Sequence, residues 1–169
     1  MAERYSAQEM LARLVSFPTV SARSNLDLIE FVESYLAGHG IASTRVPDAT
    51  GTKAALHAVV GPRVDNGVVL SAHTDVVPVE GQAWSSDPFT LREADGRLYG
   101  RGTCDMKGFA ALMLAAVPDM AVFHYASIIP QISWHIPDKP LFKAINLIRN
   151  FFAIQVLRFG RHLEACFAD

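Results

Sequence analysis

A chain of 169 residues, half of them apolar and 19% charged, is long enough to bury roughly 70% of its unfolded surface in one core and too hydrophobic for a disordered segment. Fifteen Lys and Arg against seventeen Asp and Glu, a formal net charge of −2, exclude a bulk attraction to nucleic acid or to an anionic membrane. Cys104 and Cys166 form neither a disulfide framework nor a Cys-x-x-Cys motif, and the opening Met-Ala-Glu-Arg-Tyr-Ser carries charge where a secretory leader is apolar, so the expected location is cytoplasmic.

Ser6-Ala7-Gln8-Glu9 is a capping-box pattern, and Met10, Leu11, Leu14 and Val15 follow at helical spacing, which predicts a helix over about 6–16. Phe17-Pro18-Thr19 stops it. Leu26, Ile29, Phe31, Val32, Tyr35 and Leu36 define a second amphipathic helix closed by Gly38-His39-Gly40. The period then changes. Ile41–Val46, Ala54–Val60 and Gly67–Ala72 are short, β-rich runs bounded by Pro, Gly and Asn, and they predict three strands with the last two joined as a hairpin. Val68–Ala72 is apolar enough for an interior strand. Arg97–Gly100 is a further candidate strand, and a buried helix begins near Met106 and ends at Pro118. The expected fold class is α/β, a mixed sheet flanked by helices.

The composition breaks near residue 120. Residues 1–120 hold ten of the eleven glycines and two isoleucines, whereas 121–169 hold one glycine and seven isoleucines. No polar or Gly-rich linker separates the parts, unlike an ordinary domain boundary, so 1–120 and 121–169 are expected to be distinct, with frameshift or recombination behind the tail. Within the tail Leu141, Ile145, Ile148, Phe152, Val156, Phe159 and Leu163 fall on one helical face, predicting an amphipathic helix over about 141–163 that packs on an apolar sheet face.

Chemistry is expected beyond the carboxyl ends of strands, which is where His73 falls. Asp75, two residues on in an extended chain, faces the same side, and a metal-ligating histidine typically gives its second N–H to a carboxylate. Taken alone, His73 and Asp75 read as a structural pair, and Asp105, closing Gly100-Arg101-Gly102-Thr103-Cys104, reads as a helix cap. The strings Leu-Ser-Ala-His-Thr-Asp-Val-Val-Pro-Val (70–79), Trp-Ser-Ser-Asp-Pro-Phe (84–89) and Gly-Arg-Leu-Tyr-Gly-Arg-Gly-Thr-Cys-Asp-Met-Lys-Gly-Phe (96–109), in this order, resemble the signature of the co-catalytic di-zinc amidohydrolases and metallopeptidases over residues 5–120. The Gly-Arg-Gly-Thr-Cys-Asp-Met-Lys-Gly run and Leu-Val-Ser-Phe-Pro-Thr-Val-Ser (14–21) are most similar to the acetylornithine deacetylase type of that family.

The resemblance implies a zinc-exopeptidase-like catalytic domain in which His73 binds one zinc, Asp105 bridges two, and Asp75 orients His73. It also implies a cis Asp105-Met106 peptide and a cofactor of two Zn2+, or Co2+. The implied reaction is hydrolysis of a small N-acyl amino acid, N-acetylornithine to ornithine and acetate in arginine synthesis, with desuccinylase or dipeptidase activity of the same family as the alternative. The family's general base lies in a Glu-Glu pair. No such dipeptide occurs in this chain, and after Glu93 the only glutamate is Glu164. The inserted lid domain, which carries the family's homodimer contact, is unmatched too. A fragment inactive by itself is therefore expected, or a non-catalytic one that binds a full-length relative through a sheet edge. His124, His135 and His162 have no metal spacing, Cys104 reads as a small buried loop residue, and Lys107 as a cleft or solvated side chain.

Overall fold

The computed structural model describes residues 2–61, 69–122 and 151–152. Ser6 caps the first helix, α1 (Ala7–Val15), by accepting from the Glu9 backbone N–H while the Glu9 carboxylate accepts from the Ser6 N–H. This is the capping box the sequence announces. The second helix, α2 (Leu26–Gly38), buries Leu28, Ile29, Val32, Tyr35 and Leu36, and the chain leaves it through Gly40 at φ 75°. Both helices pack their apolar stripes into one core with a third, α3 (Gly108–Val122), where Met10, Leu14, Leu28, Ile29, Val32 and Leu114 are each 1% exposed or less.

Helix α3 departs from the expected end at Pro118, which lies inside it. Proline has no N–H for the carbonyl four residues back, and the Tyr35 hydroxyl donates to that carbonyl, on Leu114, at 3.1 Å instead. With the missing bond replaced, the helix continues through residue 120 to Val122.

The strands are shorter and differently paired than expected. β1 (Ser43–Pro47) and β2 (Ala54–Ala58) run antiparallel with Ser43 opposite Ala58, so the hairpin joins the first and second strands. Their turn is closed by Asp48, whose backbone N–H donates to the Lys53 carbonyl and whose carboxylate accepts from the Lys53 N–H and the Thr50 hydroxyl. Among the described residues nothing pairs β2 with the next strand, β3 (Ala72–His73). β4 (Arg92–Ala94) and β5 (Arg97–Tyr99) form another antiparallel pair, joined by Asp95 and Gly96, which both have positive φ, as a two-residue type I′ turn requires.

The α/β class holds, but the described residues carry small two-stranded sheets rather than one mixed sheet. An interior parallel strand needs partners on both edges. Among the described residues β3 pairs on one edge, antiparallel with β6 (Phe151–Phe152), and the sole parallel contact is the Val20–Val76 bridge. Of the helix expected over 141–163, only residues 151–152 are described, and they are extended because the open edge of β3 takes up their backbone. The rest of that segment, with His124, His135 and His162, lies outside the described residues.

Candidate metal centre

Three segments build the site. His73 ends β3, Asp75 follows it, and Asp105 sits in a distorted turn, Thr103–Lys107, that leads into α3. Gly102 opens this turn at φ 86°, and a Cβ there would lie 2.8 Å from Val76 Cγ1, so only glycine admits both the backbone and the approach to the 74–76 segment. Asp105 and Met106 leave helical geometry, and the peptide between them is cis, as the resemblance implies. Helix α3 consequently starts at Gly108 rather than near Met106.

His73 and Asp105, 32 positions apart, meet. Nε2 of His73 lies 2.8 Å from Asp105 Oδ1, while Nδ1 lies 3.2 Å from Asp75 Oδ1 and 3.0 Å from the Asp75 carbonyl. These oxygens accept hydrogen bonds, which favours a metal-free ring protonated on both nitrogens. The hydrogen bond to Asp75, outweighing partial burial and helped by Asp105, accordingly raises the imidazole to about 9. Burial pushes the Asp75 carboxyl up, but hydrogen bonds from His73 and Ser21 hold it below its ordinary value. The His73 side chain is 25% exposed and that of Asp105 86% exposed, so the pair sits at an open rim.

Lys107 corrects both of its expected placements. It is fully buried, and Nζ donates to the Leu14 carbonyl at 2.9 Å and the Phe17 carbonyl at 2.7 Å, tying the Asp105 turn to the end of α1. Burial lowers its ammonium to about 8 against an opposing pull from Asp75. Cys104 is exposed rather than buried. Trp84–Phe89 acts as a brace: the Asp87 carboxylate accepts from the Phe89 N–H and the Thr90 hydroxyl, the Pro88 carbonyl accepts from Arg101 N–H at 2.7 Å, and the Arg101 guanidinium lies over Trp84.

Sequence reasoning missed the stretch after α1. Val76 N–H donates to the Thr19 carbonyl and Ser21 N–H to the Val76 carbonyl, both at 3.0 Å, and the Thr19 hydroxyl donates to the Thr74 carbonyl at 2.5 Å. The alternation of Thr19 and Ser21 around Val20 is the signal that could have exposed this strand-like zipper beside Asp75.

An imidazole nitrogen, a carboxylate oxygen and a second carboxylate on the far ring nitrogen are the donor types zinc takes. Two ligands on one tetrahedral ion with ~2 Å bonds stand roughly 3.3 Å apart, so Nε2 and Oδ1, now 2.8 Å apart, need to open by about half an ångström. The pair fits one edge of a metal site. Among the described residues no group of three or more His, Cys, Asp or Glu side chains converges on one ion.

Residues 69–128, which carry His73, Asp75 and Asp105, match the model of peptidase family M20/M25/M40. Over this part the chain resembles that family. Acetylornithine deacetylase from Photorhabdus laumondii is 41% identical over 122 residues, 68% of this chain and 31% of the relative. The crystal structure of human carnosine dipeptidase 1 shares the fold, with a TM-score of 0.52 at 24% identity over 75% of this chain and 30% of that one. The chain thus spans about a third of the length of each. No helix among the described residues is long and apolar enough to cross a membrane.

Proposed function

We propose that this chain is the N-terminal part of a metal-dependent amide hydrolase of the acetylornithine deacetylase type, retaining one edge of its metal site without the general base. The observation that carries this reading is the convergence of His73 Nε2 on Asp105 Oδ1 at 2.8 Å with Asp75 behind Nδ1. The substrate class is a small N-acyl amino acid, and the 41% identical relative supports N-acetylornithine.

His73 and Asp105 would hold the metal, with Asp105 bridging to a second ion. A zinc or cobalt ion held there would supply Lewis acidity to an amide carbonyl and to water near neutral pH. Asp75 keeps the proton on Nδ1, so that Nε2 presents its lone pair once its own proton leaves. Two protein ligands leave most of a tetrahedral shell to water, so affinity is weak. The chain contains no Glu-Glu dipeptide, and loss of a general base alone removes ~10²–10⁴-fold of rate.

The test is calorimetric titration of the purified chain with Zn2+ or Co2+, beside an assay of ornithine release from N-acetylornithine. Weak binding abolished by His73→Ala and by Asp105→Asn, with hydrolysis at background, is expected. Turnover that His73→Ala removes would overturn the assignment of inactivity, and binding indifferent to both variants would overturn the metal site. Co-purification with a full-length relative, without metal binding, would favour a non-catalytic role instead.

A further inference from the structure

The Asp75 carboxylate is gripped from both sides. Oδ1 faces His73 Nδ1 at 3.2 Å, and Oδ2 accepts from the Ser21 hydroxyl at 2.6 Å. We propose that Ser21 is a positioning residue of the metal centre, fixing the rotation of the Asp75 carboxylate and through it the direction in which His73 points Nε2. The proposal rests on the reading of His73 and Asp105 as metal-holding residues and adds a residue 54 positions away from Asp75.

The placement of Ser21 is built rather than incidental. Its backbone N–H donates to the Val76 carbonyl at 3.0 Å, its own carbonyl accepts from Lys53 Nζ, and the Thr19 hydroxyl donates to the Thr74 carbonyl, so both neighbours of Asp75 are tied to the segment that carries Ser21. The Ser21 hydroxyl also lies 3.3 Å from the Val76 carbonyl, but it has one hydrogen. The shorter distance and the negative charge assign that hydrogen to Asp75, since hydroxyl bonds to a carboxylate are the stronger kind. Without it, Oδ2 has lost its charge-assisted donor and the carboxylate turns about its terminal torsion, which is broad and roughly two-fold. Nδ1 keeps the Asp75 backbone carbonyl, 3.0 Å away, but the carboxylate no longer stands fixed beside it, and the aim of Nε2 toward Asp105 loosens.

The experiment uses the full 169-residue chain and Co2+ alone as probe. Partners behind a metal-ligating histidine are worth about 10–100-fold in metal affinity, so Ser21→Ala is expected to weaken Co2+ binding about tenfold and Ser21→Thr, which keeps the hydroxyl, to restore it. In the metal-free chain the low-field imidazole Nδ1–H proton resonance of His73, assigned by its loss in His73→Gln, is expected to move upfield in Ser21→Ala, where the carboxylate no longer stands fixed beside it, and to stay in place in Ser21→Thr. A merely structural serine would change stability without moving that resonance. Ser21→Ala with unchanged affinity and an unchanged resonance overturns the proposal. If Ser21→Ala does not fold, Ser21→Cys, nearly the same size but a weak donor, decides on the same two readings. Absence of Co2+ binding in the parent chain would sink the metal reading, and the Nδ1–H resonance would still decide whether Ser21 orients Asp75.

Discussion

The Tyr35 hydroxyl donates to the Leu114 carbonyl, 3.1 Å away and buried, at the one turn of α3 where Pro118 has no N–H to give. A side chain on α2 thereby completes the hydrogen-bond ladder of α3. Tyr35→Phe keeps the ring and leaves the carbonyl without a donor, and it is expected to cost about 1–3 kcal/mol. Urea unfolding of the two chains measures this. Pro118→Ala restores an N–H to the ladder, so the double variant is expected to recover most of the loss. Equal stability of Tyr35→Phe and the parent would show that water replaces the hydroxyl.

Lys107→Met is expected to destabilise by about 1.5–3 kcal/mol, the loss of hydrogen bonds from a charged donor partly offset by removing a buried ammonium. The Leu14 and Phe17 carbonyls keep their neighbouring backbone donors, which caps the effect. Denaturant midpoints report the size, and a gain in stability would contradict the pinning role of Nζ.

His73 gives the chain a pH signature in the absence of metal. Its folded-state pKa of about 9 stands above the ordinary 6.5, so its pairing with Asp75 and Asp105 contributes stability in full below about 6.5 and loses it as pH rises through 9. The stability difference between the parent and His73→Gln should therefore be largest at pH 6 and gone by pH 10. Lys107, lowered by burial to about 8, works in the opposite direction but equally in both chains. Metal binding must displace the Nε2 proton, so apparent Co2+ affinity should rise about tenfold per pH unit below 9. Titrations at pH 6.5, 7.5 and 8.5 check this, and a flat profile would refute it.

Gly108→Ala should be the most damaging small substitution in the site region. A Cβ there runs into the Thr103 carbonyl oxygen, a backbone atom, so the turn bearing Asp105 must shift. More than about 2 kcal/mol of stability is expected to go, together with Co2+ binding. Unaltered thermal unfolding would show that the turn relaxes freely.

Local signals carried what the sequence made legible. Ser6 and Glu9 announce α1 within four residues, the apolar stripe announces α2, and His73, Asp75 and Asp105 stand out by chemical type in an ordered set of strings. Partners far along the chain hid the rest. Lys107 sits beside Met106 and Gly108 with nothing to mark it as buried, because its acceptors lie 93 and 90 residues away. Ser21 likewise meets Asp75 across 54 residues. β4 has no apolar alternation, and only Asp95-Gly96 betrays its hairpin. Pro118 ends a helix by local rules, and α2 overrides them with a single hydroxyl.

The residues from Phe17 to Ser21 serve both halves of the proposed metal centre at once. Phe17 takes Lys107, two positions from Asp105, and Ser21 takes Asp75, two positions from His73. His73 and Asp105 therefore share a datum, and displacements of that stretch are common-mode: a shift of the whole stretch carries the two together and leaves the gap between them nearly unchanged. Core substitutions that slide α1 as a body should leave metal affinity largely intact even where they lower stability. Changes within the five residues act differentially, widening or skewing the gap, and a small change there outweighs a larger one in the helix.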